Sequence, residues 1–149
     1  MILILDSNVL IDFLTKREPF YEESSKVFLM GVFGDSDNYL SVPMLTDTQY
    51  ILAKDHGSQD AQRLIEENLR YLKLAGTSAD DACWCLQQRW DDFEDCLVAR
   101  CAENIKADYI VTRDKSGFKN SLVPPITPAE LIALMESRGK TYQVVETSC

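Results

Sequence analysis

Two short apolar runs, each leading to an acidic residue, constrain the fold of this chain more than any other feature. Ile2–Leu5 is continuously apolar and ends at Asp6, while residues 107–112 form a second, largely apolar run that precedes Asp114. Runs of this kind are typical of strands that are covered on both faces, as the strands of parallel sheets are. We therefore predict two central strands with an aspartate at the carboxyl end of each.

Helical patterns separate these strands from further extended segments. Such segments lie at 39–42, 71–75 and 123–126, with helices predicted after Ser7-Asn8, from Pro19, from Pro43, after Ser58, over 78–88, from Asp92 and from Thr127. Alternating strands and helices predict an α/β fold, a three-layer sandwich with a mainly parallel central sheet. We assign residues 1–138 to one domain, and 139–149 to a tail that either adds an edge strand near 143–145 or is disordered.

Composition and charge narrow the classes of function. No apolar run approaches the roughly 20 residues that span a bilayer, and the amino terminus lacks the basic segment of a signal peptide, so we expect no membrane partner and a cytoplasmic protein. The net charge of −9 argues against broad electrostatic attachment to nucleic acid, but a few local cations and a bound metal suffice for a nuclease. The five cysteines are expected to be reduced and to pack as small apolar side chains.

Four aspartates occupy equivalent places along the chain. Asp6, Asp47, Asp95 and Asp114 each follow a predicted strand or lie in the first turn of a predicted helix. Each has an ordinary explanation alone, as a helix cap, a residue favoured by the helix dipole or a turn residue. Together they should meet at one edge of the sheet, where they would repel one another unless a cation neutralised them. Oxygen ligands without His or Cys favour Mg²⁺ or Mn²⁺, and phosphodiester hydrolysis is the natural chemistry.

Several segments also resemble a known family. Residues 5–10, 92–97 and 110–114 look like the acidic motifs of PIN-domain proteins, and residues 16–20, the helix around 46–52 and residues 127–131 are similar to a bacterial PIN subfamily. The resemblance covers about residues 1–137. It implies a PIN-like ribonuclease that cleaves single-stranded RNA with Mg²⁺ or Mn²⁺. It also implies a VapC-like toxin with a cognate antitoxin protein, and a homodimer.

The resemblance assigns roles only where the motifs match. It makes Asp6, Asp95 and Asp114 metal ligands, and Asp47 stands where the family usually has Glu. It gives supporting hydrogen bonds to four further residues, Ser7, Asn8, Asp92 and Thr112. Gly117 stands where the closer subfamily often has Asp, and Asp114 where that subfamily often has Asn. Glu94 is expected to point away from the other acids.

The remaining candidates are cations and aromatic residues. Arg17, Arg113 and Lys115 are predicted to contact phosphates, with Lys119 a weaker candidate. His56 is expected to complement a helix dipole. The two tryptophans, Trp84 and Trp90, are expected to lie in the core or on a partner surface rather than to stack on bases. Two other readings stay open: a PIN-like RNA- or protein-binding module with little or no activity, and a receiver domain or haloacid-dehalogenase-type phosphatase, whose motifs fit poorly.

Overall fold

A five-stranded parallel sheet forms the centre of the computed structural model, which describes residues 1–145. The strand order is β3-β2-β1-β4-β5, with all four pairings parallel. The strands are β1 (Ile2–Leu5), β2 (Asp37–Ser41), β3 (Lys73–Ala75), β4 (Tyr109–Val111) and β5 (Pro125–Ile126). Because β1 and β4 are neighbours, Asp6 and the loop that follows Val111 emerge side by side at the carboxyl edge of the sheet.

Seven helices connect and cover the strands within the described part of the chain. They are α1 (Ser7–Leu14), α2 (Tyr21–Val32), α3 (Val42–His56), α4 (Ser58–Asn68), α5 (Ala79–Gln88), α6 (Phe93–Asn104) and α7 (Pro128–Ser137), with short 3-10 turns at Leu69–Tyr71 and Lys115–Phe118. Alternate residues of β1 face opposite layers. Leu3 and Leu5 pack with α1, α2 and α7, whereas Ile4 packs with α6. The predicted three-layer α/β sandwich is therefore confirmed.

Local sequence signals explain where several helices begin. Asp6 caps α1 by accepting a hydrogen bond from the backbone N–H of Ser7, and Pro43 occupies the first turn of α3, where its missing N–H costs nothing. Thr127 and Glu130 form the expected capping box at α7. Capping residues thus fix the starts of the helices that lead away from the carboxyl edge of the sheet.

The carboxyl-terminal tail differs from one of its two predicted forms. Residues 141–145 form no strand, so the edge strand suggested near 143–145 is absent there, and residues 146–149 lie outside the described part. Tyr142 is instead buried in the main core, and its hydroxyl donates a 2.7 Å hydrogen bond to Asp35. In residues 1–145 no helix is long and apolar enough to cross a membrane.

Candidate metal centre and active site

Asp6 is the buried member of the acidic group. Only 7 % of the residue is exposed, and both carboxylate oxygens accept hydrogen bonds. The backbone N–H of Ser7 donates to Oδ1 at 2.8 Å, while the Thr112 hydroxyl and the Asn8 amide donate to Oδ2 at 2.9 and 3.1 Å. These three donors fix the orientation of the carboxylate, because rotating it would leave buried polar groups unpaired.

The loop after β4 places Asp114 beside this pair of strands. The backbone N–H of Asp114 donates a 3.0 Å hydrogen bond to the Thr112 hydroxyl, which itself donates to Asp6. The backbone N–H of Ser116 donates to Asp114 Oδ1 at 3.1 Å, and the Ser116 hydroxyl donates to the same oxygen. Asp114 Oδ2 has no hydrogen-bond donor among the residues that the structure describes. Thr112 therefore links the two acids, and one oxygen of the exposed Asp114 remains available.

The first turn of α6 brings Asp95 to the same loop. Asp92 caps this helix by accepting a 3.1 Å hydrogen bond from the backbone N–H of Asp95. A Cβ added to Gly117 would lie 2.5 Å from Asp95 Oδ2 and 4.0 Å from Asp114 Oδ2. The absence of a side chain at position 117 thus leaves the space in which the Asp95 and Asp114 carboxylates approach each other.

Burial and neighbouring charges perturb two of the acids. Burial raises the pKa of Asp6, although its hydrogen bonds to Thr112 and Ser7 oppose that shift. Burial raises the pKa of Asp95 to about 7, and the charges of Asp6, Asp92 and Asp114 add to the shift. Asp6 and Asp95 therefore lie within range of the charges of neighbouring carboxylates, as groups in functional sites often do.

Glu94, which was expected to point away from the other acids, interacts with Asp47 and is within range of the charges of Asp92 and Asp6. The pKa of Glu94 is raised to about 8, and burial is the largest cause. A hydrogen bond to Asp47 and the charges of Asp47, Asp92 and Asp6 raise it further. Asp47 is exposed in the second turn of α3, not in its first turn as predicted, because α3 begins at Val42. It interacts with Glu94, but its charge does not shift the pKa of Asp6 or Asp95. Asp47 is therefore coupled to Glu94 and not directly to Asp6 or Asp95.

The predicted phosphate-binding cations have different surroundings. Arg113 forms an ion pair with Asp12, which is fully buried. Arg113 Nε lies 2.6 Å from Asp12 Oδ2, and Nη2 lies 3.3 Å from Oδ1. The guanidinium carbon of Arg113 also lies 4.0 Å from the centre of the Phe20 ring. Lys115 forms a 2.7 Å ion pair with Glu130. The exposed Arg17 and Lys119 form no ion pair within residues 1–145.

The lone histidine and the two tryptophans have different surroundings. His56 is exposed in the last turn of α3. Trp84 and Trp90 are partly buried and pack against the small apolar cluster formed by Cys85, Cys96 and Leu97. The expectation that both tryptophans contribute to packing is confirmed, and Trp90 also lines a cavity together with Asp95.

The residues at the edge of the sheet fit a hard divalent cation by donor type. All the perturbed groups are carboxylates, and Mg²⁺ and Mn²⁺ prefer oxygen ligands. Within residues 1–145, no three His, Cys, Asp or Glu side chains stand close enough to hold a metal as they are placed. Side-chain rotations of Asp95 and Asp114 toward Asp6 would be needed to complete such a site.

Comparison with known proteins identifies the family. A family model described as the PIN domain matches residues 3–116, which include Asp6, Asp95 and Asp114. The chain belongs to the PIN-domain family. No curated protein matches it significantly. The PIN-domain match extends from β1 to Ser116, which lies in the 3-10 turn before Gly117.

Solved PIN-domain structures share the fold. VapBC2 from Rickettsia felis, bound to a promoter DNA fragment, is 20 % identical with a TM-score of 0.65, over 85 % of this chain and 98 % of that one. FitAcB from Neisseria gonorrhoeae is 20 % identical with a TM-score of 0.65, over 87 % and 99 %. VapC20 from Mycobacterium tuberculosis, described as a sarcin-ricin loop cleaving toxin, is 11 % identical with a TM-score of 0.61, over 77 % and 92 %. At these identities the likeness shows the fold alone.

Proposed function

We propose that this PIN-domain protein is a Mg²⁺- or Mn²⁺-dependent endonuclease of single-stranded RNA. The observation that carries the proposal is the meeting of Asp6, Asp95 and Asp114 at one edge of the sheet, where Thr112 joins Asp6 to the Asp114 loop and Asp95 and Asp114 flank Gly117. Burial, followed by the charges of Asp6, Asp92 and Asp114, raises the pKa of Asp95 to about 7. Such clustered, perturbed carboxylates are a common property of functional sites. Membership of the PIN-domain family supports the same conclusion.

The acids would hold the metal, and their neighbours would orient them. Asp6, Asp95 and Asp114 would bind the ion, while Ser7, Asn8 and Thr112 keep Asp6 in one orientation through three hydrogen bonds. When bound, the ion would activate water and neutralise charge that develops on the phosphoryl group.

Glu94 is the group best placed to accept a proton from the attacking water. Because burial raises its pKa to about 8, the ionised form that can accept a proton becomes populated only as the pH rises toward 8. Asp47 would act through its hydrogen bond with Glu94, which assigns it a positioning role and removes the need for its short side chain to reach the metal. Asp92 contributes by capping α6 and so placing both Glu94 and Asp95 in its first turn.

Among the predicted cations, Arg17 and Lys119 form no ion pair within residues 1–145, and Lys119 lines a cavity together with Asp95. Arg113 and Lys115 would contact phosphate only by sharing or exchanging their bonds to Asp12 and Glu130. We therefore assign Arg113 chiefly to holding the loop that carries Asp114 against α1. Arg17 and Lys115 are proposed to contribute phosphate contacts at the rim.

We further propose the role of toxin in a toxin–antitoxin pair that acts in the cytoplasm. Three of the similar structures are described as VapBC or FitAB complexes, and a fourth as a toxin–antitoxin complex. Exposed apolar residues on α3, including Tyr50 at 65 % and Val42 at 46 %, provide a surface for an antitoxin or a second copy of the chain. Sequencing the adjacent reading frame and measuring the mass of the protein in solution test these two partners.

The direct test of the activity is Asp6→Asn. The wild-type protein should cleave a single-stranded RNA with Mn²⁺ and lose that activity with EDTA, whereas Asp6→Asn should cleave at less than about one-hundredth of the rate. Asp60→Asn, on the exposed face of α4, is the matched control and should cleave normally. Equal cleavage by Asp6→Asn and wild type, with unchanged thermal unfolding, would overturn the assignment.

The second candidate function is an inactive PIN-like binding module. It is favoured by the spacing of the acids, which as placed form no three-residue metal site in the described chain. Calorimetry with Mn²⁺ separates the two functions. No heat of binding at millimolar Mn²⁺ would favour the inactive module, and a heat that Asp6→Asn abolishes would favour the nuclease.

A further inference from the structure

Two adjoining cavities form a groove that leads away from the acidic site. The first, of about 250 Å³, extends from Asp95 and Gly117 to Trp90, Lys119 and Asn120. The second, of about 330 Å³, shares Trp90 and Asn120 with the first and continues to Trp84 and Leu122. We call these two cavities the tryptophan groove. Because it begins at Asp95, whatever lies in it continues directly into the proposed active site.

We propose that the tryptophan groove binds the nucleotides of single-stranded RNA next to the cleaved phosphate, with Trp90 and Trp84 as stacking surfaces for their bases. This inference rests on the proposed function, since it assigns the substrate path of the same site. Unpaired bases stack on aromatic side chains, and this interaction tolerates any base because every base has a flat π face.

Both tryptophans are held in place by contacts that would make them rigid surfaces. Trp90 packs on the core cluster around Val98 and on the cluster around Cys96, which leaves the rest of its indole to line both cavities. The guanidinium of Arg100 lies 4.6 Å from the Trp84 ring centre. Arg100 is itself fixed by a 2.9 Å ion pair with Asp81, so less conformational entropy is lost when a base stacks on Trp84.

The polar residues of the groove suit a nucleotide. Lys119 is exposed and forms no ion pair within residues 1–145, so its ammonium is available to a phosphate. The exposed Asn120 amide lies between the two cavities and has both donors and an acceptor for a base edge. Leu122, at 84 % exposure, extends the apolar side of the groove beyond Trp84.

The charges along the groove indicate that base stacking, rather than general electrostatic attraction to phosphate, would provide most of the binding. Asp91 and Asp92 line the first cavity, and Glu103 lines the second. Lys119 is the only cation among the lining residues of the two cavities. Binding should therefore depend weakly on salt, with a slope of log affinity against log salt of about −0.7, because roughly one phosphate contact would release the counterions of a single strand.

Tryptophan fluorescence tests this proposal, because both tryptophans of the chain lie in the groove. The probe is a ten-nucleotide oligoadenylate in EDTA, titrated into the full-length Asp6→Asn protein so that no cleavage occurs. We expect quenching that saturates, at least tenfold weaker binding by Trp90→Leu, and binding by Trp90→Phe within about threefold of the parent. Lys119→Gln should bind about threefold to tenfold more weakly, whereas Lys106→Gln, beyond the far end of α6, should not change the affinity.

The possible results separate this proposal from the proposed nuclease function. Oligoadenylate that leaves the fluorescence unchanged, or equal binding by Trp90→Leu and its parent, would overturn the groove even if wild-type protein cleaves RNA with Mn²⁺. Saturable quenching that Trp90→Leu loses would support the groove even if no cleavage is seen. If Trp90→Leu fails to fold, Trp84→Leu and Lys119→Gln provide the same comparison from the other cavity and from the polar side.

Discussion

Gly117→Ala should inactivate the protein without unfolding it. The added Cβ would lie 2.5 Å from Asp95 Oδ2, whereas ordinary contact begins at 3.4 Å, so the carboxylate must move by 3.4 − 2.5 = 0.9 Å. The Cβ would also restrict the rotation that Asp95 needs in order to hold a metal together with Asp6, and a misplacement of about 1 Å in a group that positions a reaction can cost about 100-fold in rate. The backbone at Gly117 does not require positive φ, so Ala should stabilise the 3-10 turn at Lys115–Phe118 by about 0.5 kcal/mol or leave it unchanged.

The assay is Mn²⁺-dependent cleavage of a labelled single-stranded RNA, measured beside thermal unfolding and Mn²⁺ calorimetry. Gly76→Ala is the matched control, because a Cβ there would meet no heavy atom within 4 Å. We expect Gly117→Ala to lose about 100-fold in cleavage and to bind Mn²⁺ more weakly, while Gly76→Ala remains fully active. Full activity of Gly117→Ala would refute the placement of Asp95 at the reacting centre.

Three further predictions follow from the same contacts. Arg113→Leu should lower the free energy of unfolding in urea by about 3 kcal/mol because it leaves buried Asp12 unpaired, and Asp12→Leu/Arg113→Leu should recover most of that loss. Glu94→Gln should slow cleavage more than Asp47→Asn does, because Glu94 rather than Asp47 interacts with the charge of Asp6. A kinetic comparison in which Asp47→Asn is the slower variant would contradict this prediction. The pKa of Asp95 is raised to about 7 in the folded protein without metal, so the folded protein keeps a proton that the unfolded chain loses near pH 4. The free energy of unfolding of the metal-free protein should therefore fall from pH 4 to about 8. Mn²⁺ should reverse that fall and bind more tightly as the pH rises, which melting curves at several pH values will show.

The fold was predictable because its signals are local. Ile2–Leu5 and residues 109–111 are apolar on both faces, which indicates central parallel strands, and Thr127 with Glu130 marks a helix start by capping alone. The tail was not predictable in the same way. Tyr142 is held by a long-range hydrogen bond to Asp35, and no periodicity within residues 141–145 records that contact.

The site was predictable in its parts but not in its connections. Asp6, Asp95 and Asp114 follow from strand ends and helix starts, because parallel strands bring those positions to one edge. Helical periodicity places Glu94 on a different face from Asp95 but cannot indicate its interaction with Asp47, because that residue lies on another helix, α3. The pairing of Arg113 with Asp12 joins residues 101 positions apart, so no local pattern could indicate it.

The central claim is that Asp6, Asp95 and Asp114 close around one divalent ion. The most direct test is a crystal soaked in millimolar Mn²⁺ and measured for anomalous scattering. The account predicts a peak at about 2 Å from carboxylate oxygens of Asp6 and Asp95, with Asp114 bound directly or through water. A structure from such a crystal with no peak within bonding distance of Asp6 or Asp95 would contradict it.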